Sequence, residues 1–368
     1  MKTSKERLAL FLPGLYEGGA ERSILNLAKG ISARGYAVDL VLARAEGPYM
    51  EQIPESVRLV DLKAPRVVES VPALTRYLRR EQPTAMLSAM FTNIIALWAR
   101  RVSGVPHRLV INEQNTLSSL VKSKADIRWK LYPRLAAWFY PWADNIIAVS
   151  NEVAIDLACI TKIPQNQIQV IYNPAVTQEL QDKSEMPLEH PWFKDDGPPV
   201  VLAVGRLTDQ KAFDVLIQAF SLVRKKRPAR LLILGKGENR SDLQALIQKL
   251  GLAQDVSLMG FVQNPYPYMA HTSLFVLPSR WEGLPTVLIE ALYLGAPIVA
   301  TDCPGGSRHI LKNGQYGRLV SVDATLSLAE AMEGSMKAGR PCPPKASWEP
   351  YHLDVIADRY INLLLGDS

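Results

Sequence analysis

PSRWEGLPTVLIE, residues 278–290, places two carboxylates, Glu282 and Glu290, eight positions apart across the start of a predicted helix. Gly283 and Pro285 make the turn, Thr286 is suited to cap, and Val287, Leu288 and Ile289 lead into an apolar helix. At roughly 1.5 Å per helical residue, the second carboxylate lies about 12 Å along the axis from the first. That span suits an extended ligand with polar groups at both ends. It exceeds the roughly 5–10 Å of carboxylate pairs that act on one bond. A helix dipole alone also favours acidic residues near its N-terminus, so the flanks have to decide. Upstream, SLFVL (273–277) has the apolar run of a buried parallel strand, and downstream APIVATDCPGG (296–306) holds another that ends in a glycine loop. Strand, polar loop, helix and strand form one unit of an open α/β sheet, which binds ligands at the carboxyl ends of its strands.

Composition agrees. A chain of 368 residues is long enough for two domains, and 48% hydrophobic with 21% charged residues is ordinary for a globular protein. No apolar stretch approaches the ~20 residues of a membrane span. The opening MKTSKERLALFLPG is basic and then apolar, but its apolar part is short and runs into a glycine loop, so it reads as a first strand rather than a signal peptide. Cys159, Cys303 and Cys342 are far apart and odd in number, which predicts neither a disulfide framework nor a metal site and points to a reducing cytoplasm.

Two halves open alike. RLALFLPGLYEGGAERSILNLAKG and PVVLAVGRLTDQKAFDVLIQAF are each a strand, a glycine-bearing loop and a helix. Between them, residues 174–199 carry Pro174, Pro187, Pro191, Pro198 and Pro199 among polar residues, as a boundary should. Further strands are predicted at AVDLVLA, AMLSAM, RLVIN and NIIAVS in the first half, and at RLLIL, VSLMGF, SLFVL and PIVAT in the second. The alternation predicts an α/β fold of two Rossmann-like, doubly wound domains facing a central cleft: residues 1–173 and 174–345, with a helix in 346–368 returning toward the first domain.

The second half supplies cations. Gly205 and Arg206 end its first strand and Lys211 follows at the start of the next helix; a guanidinium fork and a lysine charge at a strand's carboxyl end suit a diphosphate, although both also suit a solvated loop. Gly18 and Gly19 precede the first helix without making G-x-G-x-x-G, and no G-x-x-x-x-G-K-[ST] occurs, so a dinucleotide oxidoreductase and a P-loop NTPase are unsupported.

These stretches, with ILGKGE, LMGFVQN and YGRLV, resemble family 4 of the retaining glycosyltransferases, which have the GT-B fold, over nearly the whole chain. The E-x(7)-E segment is the specific part of the resemblance. It implies that Glu282 contacts hydroxyls of a donor sugar with help from the amides of Gly283 and Leu284. Glu290 would hold ribose hydroxyls, and the backbone near Phe261 and Val262 would receive the base. Arg206 and Lys211 would stabilise the diphosphate as leaving group, with the Gly18–Gly19 loop closing on it. No cofactor and no divalent metal are then needed beyond a nucleotide-sugar co-substrate, and no Asp-x-Asp motif is present. The chain departs from the family in having Gln114, within Glu113-Gln114-Asn115, where many members carry a histidine near the donor sugar. His309 also stands where a glutamate is common. His107, at the other end of that strand, reads as structural. Glu113, Gln114 and Asn115 become candidates for the acceptor side.

Charge bears on the acceptor. Residues 1–174 hold 22 Lys and Arg against 15 Asp and Glu, so the excess positive charge lies in the first half. Lys122, Lys124, Arg128, Lys130 and Arg134 alternate there with Leu120, Trp129, Leu131, Tyr132, Trp138 and Phe139, the makeup of an interfacial helix with aromatic anchors. The alternative is a helix whose aromatics pack inward. No nucleic-acid module accompanies the charge. The expected activity is retaining transfer of a hexose or N-acetylhexosamine, from a UDP-sugar above other donors, to a lipid-linked saccharide or other glycan, in the cytoplasm or on the inner membrane face. A catalytically silent nucleotide-sugar-binding subunit and a GT-B epimerase are the alternatives.

Overall fold

The computed structural model describes residues 6–123, 127–194, 197–337 and 339–366. They form two compact units, residues 1–174 with 351–368 and residues 175–350. The first unit is built on strands β1 (Arg7–Leu12), β2 (Ala37–Leu42), β3 (Val57–Asp61), β4 (Ala85–Ala89), β5 (Arg108–Glu113), β6 (Asn145–Ala148) and β7 (Ile168–Val170). They pair in parallel in the order β3-β2-β1-β4-β5-β6-β7. The second unit carries β8 (Val200–Val204), β9 (Arg230–Leu234), β10 (Val256–Gly260), β11 (Leu274–Leu277), β12 (Ile298–Thr301) and β13 (Arg318–Val320), in parallel order β10-β9-β8-β11-β12-β13. In both sheets the order reverses beside the first strand, which creates a topological switch point at β1/β4 and at β8/β11.

The apolar strands explain themselves. β1, β4, β8, β9, β11 and β12 are buried along most or all of their length, as strands covered on both faces must be. In the second unit Phe213, Leu216, Ile217 and Phe220 of the helix Phe213–Lys226 pack with Leu231, Ile233, Val276 and Met332 into one core. The C-terminal helix Leu353–Leu365 lies in the first unit against the helix Gly19–Ala33, where Arg34 bridges Asp354 (3.2 Å) and Asp358 (2.6 Å). No helix among the described residues is long and apolar enough to cross a membrane.

One buried charge ties the edge of the first sheet together. Asp39 on β2 is 1% exposed. It accepts from Arg7 of β1 (2.9 Å), from Nε of Arg58 of β3 (2.8 Å) and from the Tyr77 hydroxyl (2.6 Å) on the helix Val71–Glu81. Burial, then the Asp39 charge, holds the Tyr77 hydroxyl well above its ordinary range, so it stays a donor. Asp39→Ala strands these groups and is expected to destabilise the first unit by about 3–5 kcal/mol. Hydrogen exchange should show the loss at amides of β1–β3 and leave β8–β13 protected. A loss below about 1 kcal/mol would show that the cluster is not structural.

Candidate active site

The second sheet brings two of the predicted donor residues, Lys211 and Glu282, together. The turn after β8 carries Gly205 and Arg206 and continues to the short 3-10 turn Asp209–Lys211. The loop after β11 carries Ser279, Arg280 and Glu282 before the helix Thr286–Tyr293. β8 and β11 are the neighbours across the switch point, so the two loops meet. Lys211 Nζ donates to Glu282 Oε1 at 2.6 Å, and Ser279 Oγ donates to the same oxygen at 2.6 Å. The loops are also stitched by Arg280 N to Gln210 O (2.8 Å), Gln210 Nε2 to Trp281 O (2.9 Å) and Arg280 Nη1 to Asp209 O (2.8 Å). Gly205 makes this possible: a Cβ there would meet Cε, Cδ and Cγ of Lys211 at 3.2–3.4 Å, so the lysine stem lies across the bare glycine on its way to Glu282.

Three sequence expectations need correction. Lys211, expected at the start of the next helix as a group that could equally be solvated, ends a 3-10 turn two residues before that helix and is not solvated. Its side chain is 13% exposed and paired with a carboxylate that is 6% exposed. Glu282 precedes the helix, so helical rise over eight residues does not set its separation from Glu290; only Thr286 to Glu290 is helical. Thr286 is the first helical residue and not the cap, a position held by Pro285 without a side-chain cap bond. The first amide to reach back inside this helix is Leu288 N, to Pro285 O at 3.0 Å. The amides before it have no intrahelical acceptor.

Arg206 is exposed, and its guanidinium has no partner among the described residues. Both hydrogen bonds to Glu282 fall on Oε1, which leaves Oε2 without a partner among the described residues. Gly283, Leu284, Thr286 and Glu290 are buried, Glu290 at 2% exposure. Phe261 and Val262 follow β10 and are half-buried. Burial, with the Glu282 charge second, pushes the Cys303 thiol up to about 12, which makes it inert.

In the first unit Gly18 caps the helix Gly19–Ala33 in extended geometry. A Cβ on Gly18 would fall 2.0 Å from Glu21 Oε2, so the carboxylate of the first turn fills that space. The first turn of this helix therefore already carries an acidic group beside Gly18, as the helix dipole favours.

The acceptor-side candidates are also more enclosed than their loop position implied. Glu113 (5% exposed) accepts from the Tyr140 hydroxyl at 2.8 Å, and Tyr140 in turn meets the Tyr132 hydroxyl at 3.1 Å. Gln114 (4% exposed) is locked by a reciprocal amide pair with Asn173 (2.7 and 3.3 Å) and by Asn112 (3.1 Å), and Asn112 donates to Tyr360 at 2.6 Å. Asn115 alone of the three is half-exposed. His107 is buried with Nδ1 3.1 Å from Val105 O, and burial lowers its pKa, as suits a neutral structural ring.

The family description "Glycosyl transferases group 1" matches residues 198–337, and "Glycosyltransferase Family 4" matches residues 17–179. A Campylobacter jejuni protein named N-acetylgalactosamine-N,N'-diacetylbacillosaminyl-diphospho-undecaprenol 4-alpha-N-acetylgalactosaminyltransferase is 32% identical over 341 residues, 89% of each chain. The chain belongs to family 4 of the glycosyltransferases. Its fold is GT-B. WaaG, described as a glycosyltransferase involved in lipopolysaccharide biosynthesis, superposes with a TM-score of 0.75 at 17% identity over 98% of this chain and 100% of its own. Anabaena Alr3699/HepE in complex with UDP-glucose gives 0.73 at 19% identity over 98% and 97%.

Sequence reasoning about this glycosyltransferase missed Ser279 and Gln210, which hold the loops after β8 and β11 in register. Ser279 stands three residues before Glu282, and that spacing was the available signal. The predicted basic helix over 120–139 is two helices, Leu117–Ser123 and Ile127–Phe139. Lys124 lies outside the described residues, as do the side chains of Lys122, Arg128 and Trp129. Lys130, Leu131, Arg134 and Trp138 are exposed, Trp138 at 67%. Phe139 packs against Trp98 (5.3 Å) and Trp142 (4.9 Å).

Glu113 yields a pH prediction. Burial lifts its pKa to about 7, against the opposing Tyr140 bond, from the ordinary 4.5 of a glutamate. A raised folded pKa means that the folded glycosyltransferase binds the extra proton between those values. The stability this contributes is complete below about 4.5 and is lost as pH rises through about 7. Glu113→Gln, which keeps the acceptor for Tyr140 and cannot ionise, should gain on wild type by up to ~1.4 kcal/mol per pH unit across that window. Urea titrations at pH 5 and pH 8 check this. A constant difference would contradict it.

Proposed function

We propose that this enzyme transfers a hexose or N-acetylhexosamine from a nucleotide-diphosphate sugar, UDP-sugars foremost, to a lipid-linked saccharide or other glycan, with retention and without a divalent metal. The Lys211–Glu282 pair at the β8/β11 switch point carries this reading, with unpaired Arg206 on the same loop as Lys211. Lysine has three donors and spends one on Glu282, which leaves two for phosphate oxygens. Arg206 adds a guanidinium fork with no competing partner. Glu282 Oε2 accepts from a sugar hydroxyl, the amides of Gly283 and Leu284 support the sugar, Glu290 holds the ribose hydroxyls, and the backbone at Phe261 and Val262 receives the base. Support for the donor comes from HepE, solved in complex with UDP-glucose, and for the acceptor from the Campylobacter relative, which is named for a diphospho-undecaprenol-linked saccharide.

In the reaction, an acceptor hydroxyl oxygen bonds to the anomeric carbon on the face from which the diphosphate leaves. The bond from that carbon to the phosphate oxygen breaks, and the departing phosphate takes the hydroxyl proton. Arg206 and Lys211 stabilise the charge that grows on the diphosphate, so the protein need not supply a separate base.

Steady-state turnover and product NMR test this reading. Arg206→Ala and Lys211→Ala are each expected to lower kcat by ~10²–10³, and Gly205→Val should do likewise by displacing the lysine stem. Wild-type turnover should survive excess EDTA and give a product with the donor's anomeric configuration. Near-wild-type turnover in Arg206→Ala and Lys211→Ala, or an inverted product, would falsify the proposal.

The exposed stripe of Lys130, Leu131, Arg134 and Trp138 favours work at an anionic membrane surface. The enzyme should sediment with vesicles containing anionic lipid at 0.1 M salt and be released toward 1 M, as the Debye length falls from about 10 to about 3 Å. Lys130→Glu with Arg134→Glu should weaken sedimentation. A wild type that stays in the supernatant at low salt makes the stripe a solvated face and favours a soluble glycan acceptor.

A further inference from the structure

The second unit contains a cavity of about 490 Å³ away from the residues assigned to the donor. It opens at the amino ends of the strands. Ile298, the first residue of β12, and Arg318, the first of β13, line it, as does Leu292 near the end of the helix Thr286–Tyr293. The donor loops belong to the opposite ends: Thr301, last in β12, donates to Ser279 O at 2.5 Å beside Glu282. Three residues of strand, about 10 Å, therefore separate the two regions along β12.

The walls are built rather than loose. Arg340 donates to Thr272 O (2.7 Å) and Leu294 O (2.9 Å), which pins the proline-rich wall that includes Pro341 and Cys342. The charge is one-sided. No aspartate or glutamate is among the described lining residues. The Arg318 guanidinium lies over Gly334, where a Cβ would fall 2.4 Å from its Nη1, and it has no ion-pair or hydrogen-bond partner among the described residues. Lys312 adds a second cation without an ion-pair partner among the described residues, its Nζ 5.8 Å from the ring centroid of Tyr316, which lines the cavity.

We infer that this cavity is a binding site for a small organic anion, a carboxylate or phosphate ester on an apolar or ring-bearing body, with Arg318 as its anchor. A guanidinium fork pairs a carboxylate or phosphate through two parallel bonds. Leu292, Ile298 and the prolines take the body, and the volume falls within the roughly 300–1,000 Å³ of small-molecule sites. The inference does not depend on the donor assignment, because it shares no residue with it.

Cys342 in the wall gives a direct test on the intact chain, with exposed Cys159 in the first unit as internal reference. Cys303 is buried and stays silent. The probes are two aryl disulfides: dithiobis(nitrobenzoate), with a carboxylate on each ring, and dithiodipyridine, with none. Cys342→Ser and Cys159→Ser assign the two phases. The charged reagent should favour Cys342 over Cys159 by about tenfold more than the neutral one does, the effect of one charge-assisted hydrogen bond. Its rate at Cys342 should saturate with concentration and be slowed by free nitrobenzoate. Arg318→Gln should abolish the preference while the Cys159 rate, which reports an intact fold, stays unchanged. Equal preferences at the two cysteines, a preference that survives Arg318→Gln, or a rate linear in reagent would overturn the site.

Discussion

The second unit turns on one ion pair. Lys211 reaches Glu282 over a glycine that has no side chain to block it, and Ser279 supplies the second bond to the same carboxylate oxygen. Removing both charges from water costs several kcal/mol per ion, so such a pair is weak evidence for stability. Its value lies in position. It fixes an ammonium and a carboxylate at the carboxyl ends of β8 and β11, where the reversal of strand order opens a crevice that no strand fills. The lysine is thereby held in one orientation, and in the proposed reaction that matters because electrostatic catalysis rewards groups that need not reorganise. Arg206, exposed and without a partner among the described residues, is the complementary case: a charge kept in water, which the proposed function assigns to the diphosphate.

The first unit uses polar groups differently. Its buried set runs from Glu113 through Tyr140 and Tyr132, and from Gln114 through Asn173, Asn112 and Tyr360. These side chains satisfy one another, which is what low-dielectric surroundings demand. Tyr360 belongs to the C-terminal helix and Asn112 to β5, so the network also fastens the end of the chain to the sheet. The Gln114 amide is engaged by Asn173 and Asn112, which holds the side chain in one orientation. Glu113 keeps its proton near neutrality because the site is dry.

How much was legible follows from burial. Strands covered on both faces announce themselves as apolar runs, and RLALFL, AMLSA, RLLIL and LFVL were each recognisable. β3, β7 and β13 were not: VRLVD has mostly exposed positions, and IQV and RLV are three residues long, so neither run nor alternation marks them. All three lie at sheet edges, where one side needs no neighbour. The residues of the candidate donor site were visible because a helix start and a βα turn restrict composition. Their partnership was not, since Lys211 and Glu282 are 71 positions apart and only the sheet order joins them. The same limit hid the enclosure of Gln114 by Asn173, 59 positions away.

Hydrogen exchange of the intact protein with and without UDP tests whether the β8 and β11 loops form the donor site. Added protection is expected at amides in 205–211, 261–262 and 283–290. No change is expected in β1–β3 or in the wall around Cys342. Protection confined to the first unit, or absent from 205–211 and 283–290 at a UDP concentration that saturates binding, would contradict it.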